Sequence, residues 1–205
     1  MVNPRASDDD LTAKARIRNA ALDLYAEHGQ DRVSLRAIAT AAGVTLGLVQ
    51  HHFKTKAGLR EAVDQLVVDY FAETINSIEP HGDPSNVAAQ RDAAVQSMLK
   101  ANPPVAAYLR RAVLDPADHT MHLLDVLVEL TRHEVSTMRA AGLASTTRPE
   151  PVQVVEVLMR QLGDLLLRPL VNAVWERLAD TDNSGGPRLM ISTQPTSGLP
   201  GSATA

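Results

Sequence analysis

Residues 34–53, Ser-Leu-Arg-Ala-Ile-Ala-Thr-Ala-Ala-Gly-Val-Thr-Leu-Gly-Leu-Val-Gln-His-His-Phe, constrain the fold of this chain more than any other stretch. Two short amphipathic segments meet at Gly43. Leu35, Ile38 and Ala39 share one face of the first, and Val49 and Phe53 lie four apart on the second, so both present apolar stripes to a common core. The two helices must therefore cross, with the small Ala39 at their closest approach and Gly43 free to take the positive φ of a three- to four-residue turn. Thr45 is placed to cap the second helix, and Val44 to tuck in before it. Leu46, Gly47, Gln50 and His51 are left facing outward. Small and hydrogen-bonding side chains on an exposed helix face suit insertion into a DNA major groove.

Alanine and glycine at these offsets also occur in plain helical hairpins, and the flanks separate the two readings. A single helix over residues 12–28, ending at Gly29, precedes the pattern, and Phe53-Lys54-Thr55-Lys56-Ala57-Gly58-Leu59 follows it, opening a long amphipathic helix. Helix, helix-turn-helix, then Phe-x-x-Lys-x-x-Leu resembles the N-terminal domain of the TetR/AcrR family of bacterial transcriptional regulators, over about residues 12 to 70. The resemblance implies an all-α protein: a three-helix reading head, then a helical domain that binds an effector and dimerises. Residue by residue, His52 falls on the histidine of the family's Tyr-x-His-Phe, and Lys56 on its lysine at the start of helix four. The tyrosine is replaced here by Gln50. Glutamine bonds adenine at N6 and N7, or a phosphate, so contact persists while any operator borrowed from relatives loses its basis.

Charge divides along the chain in the same sense. Residues 11–60 carry eight basic side chains (Lys14, Arg16, Arg18, Arg32, Arg36, Lys54, Lys56, Arg60) against three acidic ones (Asp23, Glu27, Asp31), a net +5 that leaves −9 for the rest of a −4 chain. A basic head on an acidic body is the footprint of one small domain meeting phosphate. Expected contacts are Ser34 and Thr45 at helix N-termini, Arg36, Leu46, Gly47, Gln50 and His51 on or beside the reading helix, and Lys54 and Lys56 after it.

Beyond the head the sequence reads as all helix. A helix from Lys56 to about Ile78 buries Leu59, Val63, Leu66, Val67, Tyr70 and Phe71; Pro80, Gly82 and Pro84 end it. Residues 85–101 place Ala88, Val95, Met98 and Leu99 on one side. Pro103 and Pro104 interrupt, residues 105–114 form a shorter helix with Tyr108, Leu109 and Val113, and a longer one follows over 117–141, with Leu124, Leu127, Val128, Val135 and Met138 inward and Gly142 at its end. The domains expected are an arm (1–10, disordered), a reading head (11–58), an effector and dimerisation domain (59–179) and a disordered tail (180–205) rich in Gly, Pro, Ser and Thr.

Residues 152–179 differ in kind. Gln153, Glu156, Arg160, Asp164 and Arg168 form a narrow polar strip, and nearly everything else is Val, Leu or Met. One neighbouring helix cannot cover so wide an apolar surface. A second copy can, and a two-fold dimer also suits a palindromic operator. The interface expected comprises Val155, Leu158, Met159, Leu162, Leu166, Leu170 and Val174, with Arg168-Pro169 breaking or kinking the run into two helices. The resemblance implies the same, since family members dimerise through their last two helices.

The resemblance also implies an effector cavity among the middle helices, for which Met98, Tyr108, Arg110, His119, Met121, His122 and Met138 are candidates because soft, polar or aromatic groups interrupt an aliphatic core. The sequence does not name the ligand. Only six aromatics argue mildly against a stacking pocket for large planar molecules. His51 and His52 point about 100° apart on a helix and have no carboxylate at the right offset, so no metal is expected. Without cysteine, thiolate zinc sites and thiol nucleophiles are excluded, and no catalytic motif or cofactor-binding loop is present. The N-terminus lacks a signal-peptide pattern, and no run is apolar enough to span a bilayer, so a cytoplasmic protein is expected. The function these features imply is a dimeric, ligand-released DNA-binding repressor. The alternative is a small-molecule-binding or scaffold protein whose head has lost affinity for DNA.

Overall fold

Capping decides where the first helices begin, because each must satisfy its leading N–H groups. In a computed structural model that describes residues 12–114 and 121–178, Thr12 accepts from Ala15 N to open α1 (Ala13–His28), Ser34 from Ala37 N to open α2 (Leu35–Ala41), and Thr45 from Leu48 N to open α3 (Leu46–Phe53). Thr55 then caps α4 (Lys56–Asn76) by accepting from Gly58 N at 3.0 Å. Further on come α5 (Pro84–Ala101), α6 (Pro103–Leu114), α7 (Met121–Ala140) and α8 (Glu150–Leu178). Among the described residues there is no strand, and no helix is long and apolar enough to cross a membrane. The arm 1–10 and the tail 180–205 lie outside the described residues.

The turn between α2 and α3 closes as a Schellman motif. Val44 N bonds Ala39 O at 3.0 Å and Gly43 N bonds Thr40 O at 3.2 Å, with Gly43 at φ +63. Ala39 is buried beside it, while Val44 and Leu35 are half-buried.

The described chain divides between Leu130 and Thr131 into two compact units. In the first, α1 is the hub, packing on α2, α3, α4 and α6. Its Ile17, Ala21, Leu22 and Tyr25 are fully buried, as are Ile38 of α2, Val49 of α3, and Leu59, Val63, Leu66 and Val67 of α4. Each such aliphatic side chain contributes roughly 1.5–3 kcal/mol. On α1 the i, i+4, i+7, i+8 spacing from Ile17 points Leu24 inward as well, yet Leu24 is half-buried and Leu22 is buried. Further on, the expected core face is rotated by one position: Val87 rather than Ala88 is buried on α5, and Leu123 rather than Leu124 on α7.

In the second unit the loop after α7 is tied down by side chains. Arg139 donates to the carbonyls of Ser145, Thr146 and Arg148, and Gln153 Nε2 to those of Ser145 and Arg148 at 3.0 Å each. Gln153 is therefore buried, not part of a solvent strip. Of the break or kink expected at Pro169, the break does not occur: α8 runs through it as one helix. Proline removes one N–H donor, and the helical bonds on either side, with the Arg168–Asp164 pair spanning the same turn, hold the rest.

At Gly43 an added Cβ meets nothing within 4 Å, so a substitution there acts through φ alone. Gly43→Ala is expected to cost about 1–2 kcal/mol and Gly43→Asn clearly less, since asparagine tolerates the left-handed region. Urea denaturation of both variants measures the difference.

Candidate nucleic-acid interface

Helix α3 has one dry side and one open side. Val49 and Phe53 are buried, Gly47, Gln50 and His51 are exposed, and Leu46 and His52 are half-buried at the edges. Ser34, Arg36, Thr45 and Lys54 are exposed around this face. The hydroxyls of Ser34 and Thr45 already accept from their own helices, at 3.1 and 3.2 Å, and each retains its proton to donate outward. Lys56 is placed differently. It is half-buried, and its Nζ donates to the Asp31 carbonyl at 3.2 Å, tying the start of α4 to the loop before α2.

Only Lys54 and Thr55 separate α3 from α4, and the chain reverses there by a γ-turn. Thr55 N bonds Phe53 O at 2.6 Å around Lys54, which has φ 59 and ψ −56. Lys54 is the one non-glycine residue with positive φ among those described. Such a conformation costs of order 1–3 kcal/mol and persists where the surroundings impose it. Gly58 supplies the constraint: a Cβ there would stand 2.6 Å from the Phe53 carbonyl oxygen, so only glycine lets the first turn of α4 come so close. No local spacing or residue type singles out Lys54 or Gly58 for these roles in advance.

Beneath the head lies a buried polar node that the sequence reading missed. Asp64, 2% exposed, accepts from the Tyr108 hydroxyl at 2.6 Å and lies 3.0 Å from His122 Nδ1; Gln30 Nε2 donates to the Tyr108 oxygen at 2.7 Å. Tyr108 and His122 were effector-pocket candidates, and the structure brings them together on one carboxylate. Burial pushes the Asp64 carboxyl above its ordinary 3.8, partly offset by the bonds from Tyr108 and His122. Burial likewise raises the Tyr108 phenol, with the Asp64 charge adding to it. A signal was available: Asp64 falls three and seven positions before Val67 and Phe71, on the apolar stripe of α4.

The other pocket candidates scatter. Met98 is core on α5, Arg110 lines a surface cleft near the end of α1, and Met138 is half-buried in the second unit. Met121, 51% exposed, faces solvent because it stands two residues, about 200°, from the buried Leu123. His119 lies outside the described residues.

On α8, Val155, Met159, Leu170 and Val174 are exposed and Leu162 and Leu166 half-buried, an apolar row at helical spacing. Leu158 departs from the expectation. It is 6% exposed, facing inward with Val154 and Leu165, because its position lies about 90° round the helix from the centre of that row.

These elements define a class: an all-helical protein with an N-terminal helix-turn-helix head. Residues 17–63 match the family model for bacterial regulatory proteins of the tetR family. The chain is 34% identical over 139 residues to the HTH-type transcriptional regulatory protein RaaS of Mycobacterium tuberculosis, an alignment covering 68% of this chain and 63% of that one. The chain thus spans less than two-thirds of that relative's length. A solved structure from Shewanella sp. PV-4, assigned to the tetR family of transcription regulators, superposes with a TM-score of 0.61 at 25% identity, over 82% of this chain and 90% of that one. The fatty acid degradation regulator FadR of Bacillus halodurans shares the fold at 17% identity, with a TM-score of 0.65 over 80% and 87% of the two chains. Over residues 17–63 the chain thus carries the N-terminal domain of tetR-family bacterial regulatory proteins.

The raised Asp64 pKa fixes a sign. Because the folded state holds this proton more tightly than the unfolded chain, the contribution is fully present below the unfolded value near 3.8 and is lost as pH rises through the folded one. Asp64→Asn keeps an acceptor for Tyr108 and never ionises. Its stability relative to wild type should therefore rise between pH 4 and pH 7, which thermal melts across that range will read.

Proposed function

We propose that this chain is a sequence-specific DNA-binding transcriptional regulator, acting as a homodimeric repressor that a small molecule releases from a palindromic operator. The observation that carries the reading is the open side of α3, where Gly47, Gln50 and His51 are exposed on a helix whose other side is anchored by Val49 and Phe53. A short rigid helix with a small residue, an amide and an imidazole turned outward fits a major groove. Gln50 and His51 read base edges, with Leu46 and Gly47 allowing close approach. Ser34, Arg36, Thr45 and Lys54 hold phosphates. Lys56, already bonded to the loop before α2, positions α4 and offers its remaining protons to the backbone. The name of the mycobacterial relative, an HTH-type transcriptional regulatory protein, supports the same assignment.

Dimerisation follows from the apolar row on α8, which water would otherwise face. Two copies place two reading helices in successive major grooves, about 34–36 Å apart. An effector that binds a different α4 angle better lowers DNA affinity by the same preference. Working on chromosomal DNA, the protein resides in the cytoplasm, and the mechanism calls for no catalysis and no cofactor.

Selection of purified protein on randomised duplexes tests the reading. Two dyad-related half-sites one helical turn apart are expected, and enrichment no greater than background would sink it. Gln50→Ala should change the preferred base at one position of each half-site. Lys54→Gly should weaken all sites alike, lower the salt slope by about one, and raise stability by roughly 1 kcal/mol as the strained φ is relieved.

A second measurement addresses self-association. Met159→Glu with Leu170→Glu places charges on residues exposed in the protomer, so the fold should persist while sedimentation shows monomer. A variant that remains dimeric rules this face out as the interface.

A further inference from the structure

The rings of His51, His52 and Phe53 form a short ladder at the end of the reading helix. His51 and His52 stand edge to face, with centroids 5.4 Å apart and planes at 74°, and His52 and Phe53 repeat the arrangement at 6.3 Å and 61°. Both separations fall in the range where the positive edge of one ring meets the negative face of the next. Successive side chains leave a helix about 100° apart, so neighbouring rings meet only when both adopt rotamers turned toward each other. The contact thus narrows the orientations open to His51.

Exposure falls along the ladder. His51 is exposed, His52 half-buried and Phe53 only 7% exposed. The foot is firmly held, because the Phe53 carbonyl accepts from Thr55 N at 2.6 Å in the γ-turn and lies close against Gly58 at the start of α4. Among the described residues neither imidazole has a hydrogen-bond partner, so ring packing sets their orientation and the His51 nitrogens stay available to a ligand.

We propose that His52 is a positioning residue: its ring holds the His51 imidazole at the angle from which it reads a base edge, and its own nitrogens touch no DNA. This rests on the reading of α3 as the helix that enters the major groove. An exposed histidine turns about two side-chain torsions, and freezing them on binding costs affinity that a ring already in place retains. Orientation also sharpens discrimination, since a hydrogen bond to a base edge weakens steeply as its angle departs from linear.

Selection on randomised duplexes by wild type and by His51→Ala locates the base pair that His51 reads, as the position whose preference the variant loses. At that position His52→Ala should lower discrimination about fivefold, and His52→Leu, which keeps apolar bulk without a ring, should do the same. His52→Phe should restore it. All three His52 variants should keep the wild-type salt slope and affinity for non-specific duplex, because no phosphate contact is removed. In the His51→Ala background, His52→Ala should change the preference no further. Wild-type protein that selects no site removes the DNA-reading assignment and this inference together. Where wild type does select sites, the inference alone is overturned by a His51→Ala protein with every preference intact, or by His52→Leu discriminating as wild type does. It also fails if His52→Phe is no better than alanine or lowers the salt slope, either of which makes the His52 nitrogens DNA contacts in their own right.

Discussion

A carboxylate shut away from water must find its hydrogen-bond donors inside the protein, and much of the first unit is arranged around how Asp64 does so. Its donors come from separate helices, Tyr108 on α6 and His122 on α7, and Tyr108 is itself bonded by Gln30 from the loop that follows α1. Three segments far apart in sequence are thereby held to one point on α4. Apolar packing around it is non-directional and would tolerate sliding. The polar contacts are directional, so they select one register of α4 against its neighbours.

That register matters because the reading helix takes its place from α1 and α4. Helix α1 packs on α2 and α3 and, through Arg111, is bonded at its C-terminal end to α6. A guanidinium at the last carbonyls of a helix satisfies groups that the helix itself cannot, and also suits its dipole. The head is thus fastened to the rest of its unit at two places, the polar node and the α1 terminus, besides the covalent passage into α4.

Local chemistry was legible in the sequence. The Ser34 and Thr45 caps, the Gly43 turn and the whole inward stripe of α4 follow from residue type and spacing, because each depends on neighbours within a turn or two. What depends on distant partners was not. Nothing local tells Asp64 that its donors lie 44 and 58 residues away. Periodicity also fixes a face only to within one position, about 100°, which is why Val87 and Leu123 replace Ala88 and Leu124 in the core, and why Leu158 turned from an expected interface to the interior. Pro169 shows the limit of breaker rules: a long helix with bonds on both sides survives the loss of one donor.

The γ-turn at Lys54 carries a consequence for how such a head changes over generations. With two residues between α3 and α4, a backbone bond spanning the bend and Gly58 set against the Phe53 carbonyl, the junction has no slack. Any roll of α4 about its axis is geared into a roll of α3, and a length change at this joint would turn the lettered side of the reading helix away from its text. Specificity is therefore free to drift by exchanging side chains such as Gln50, while insertions and deletions are barred from the hinge itself.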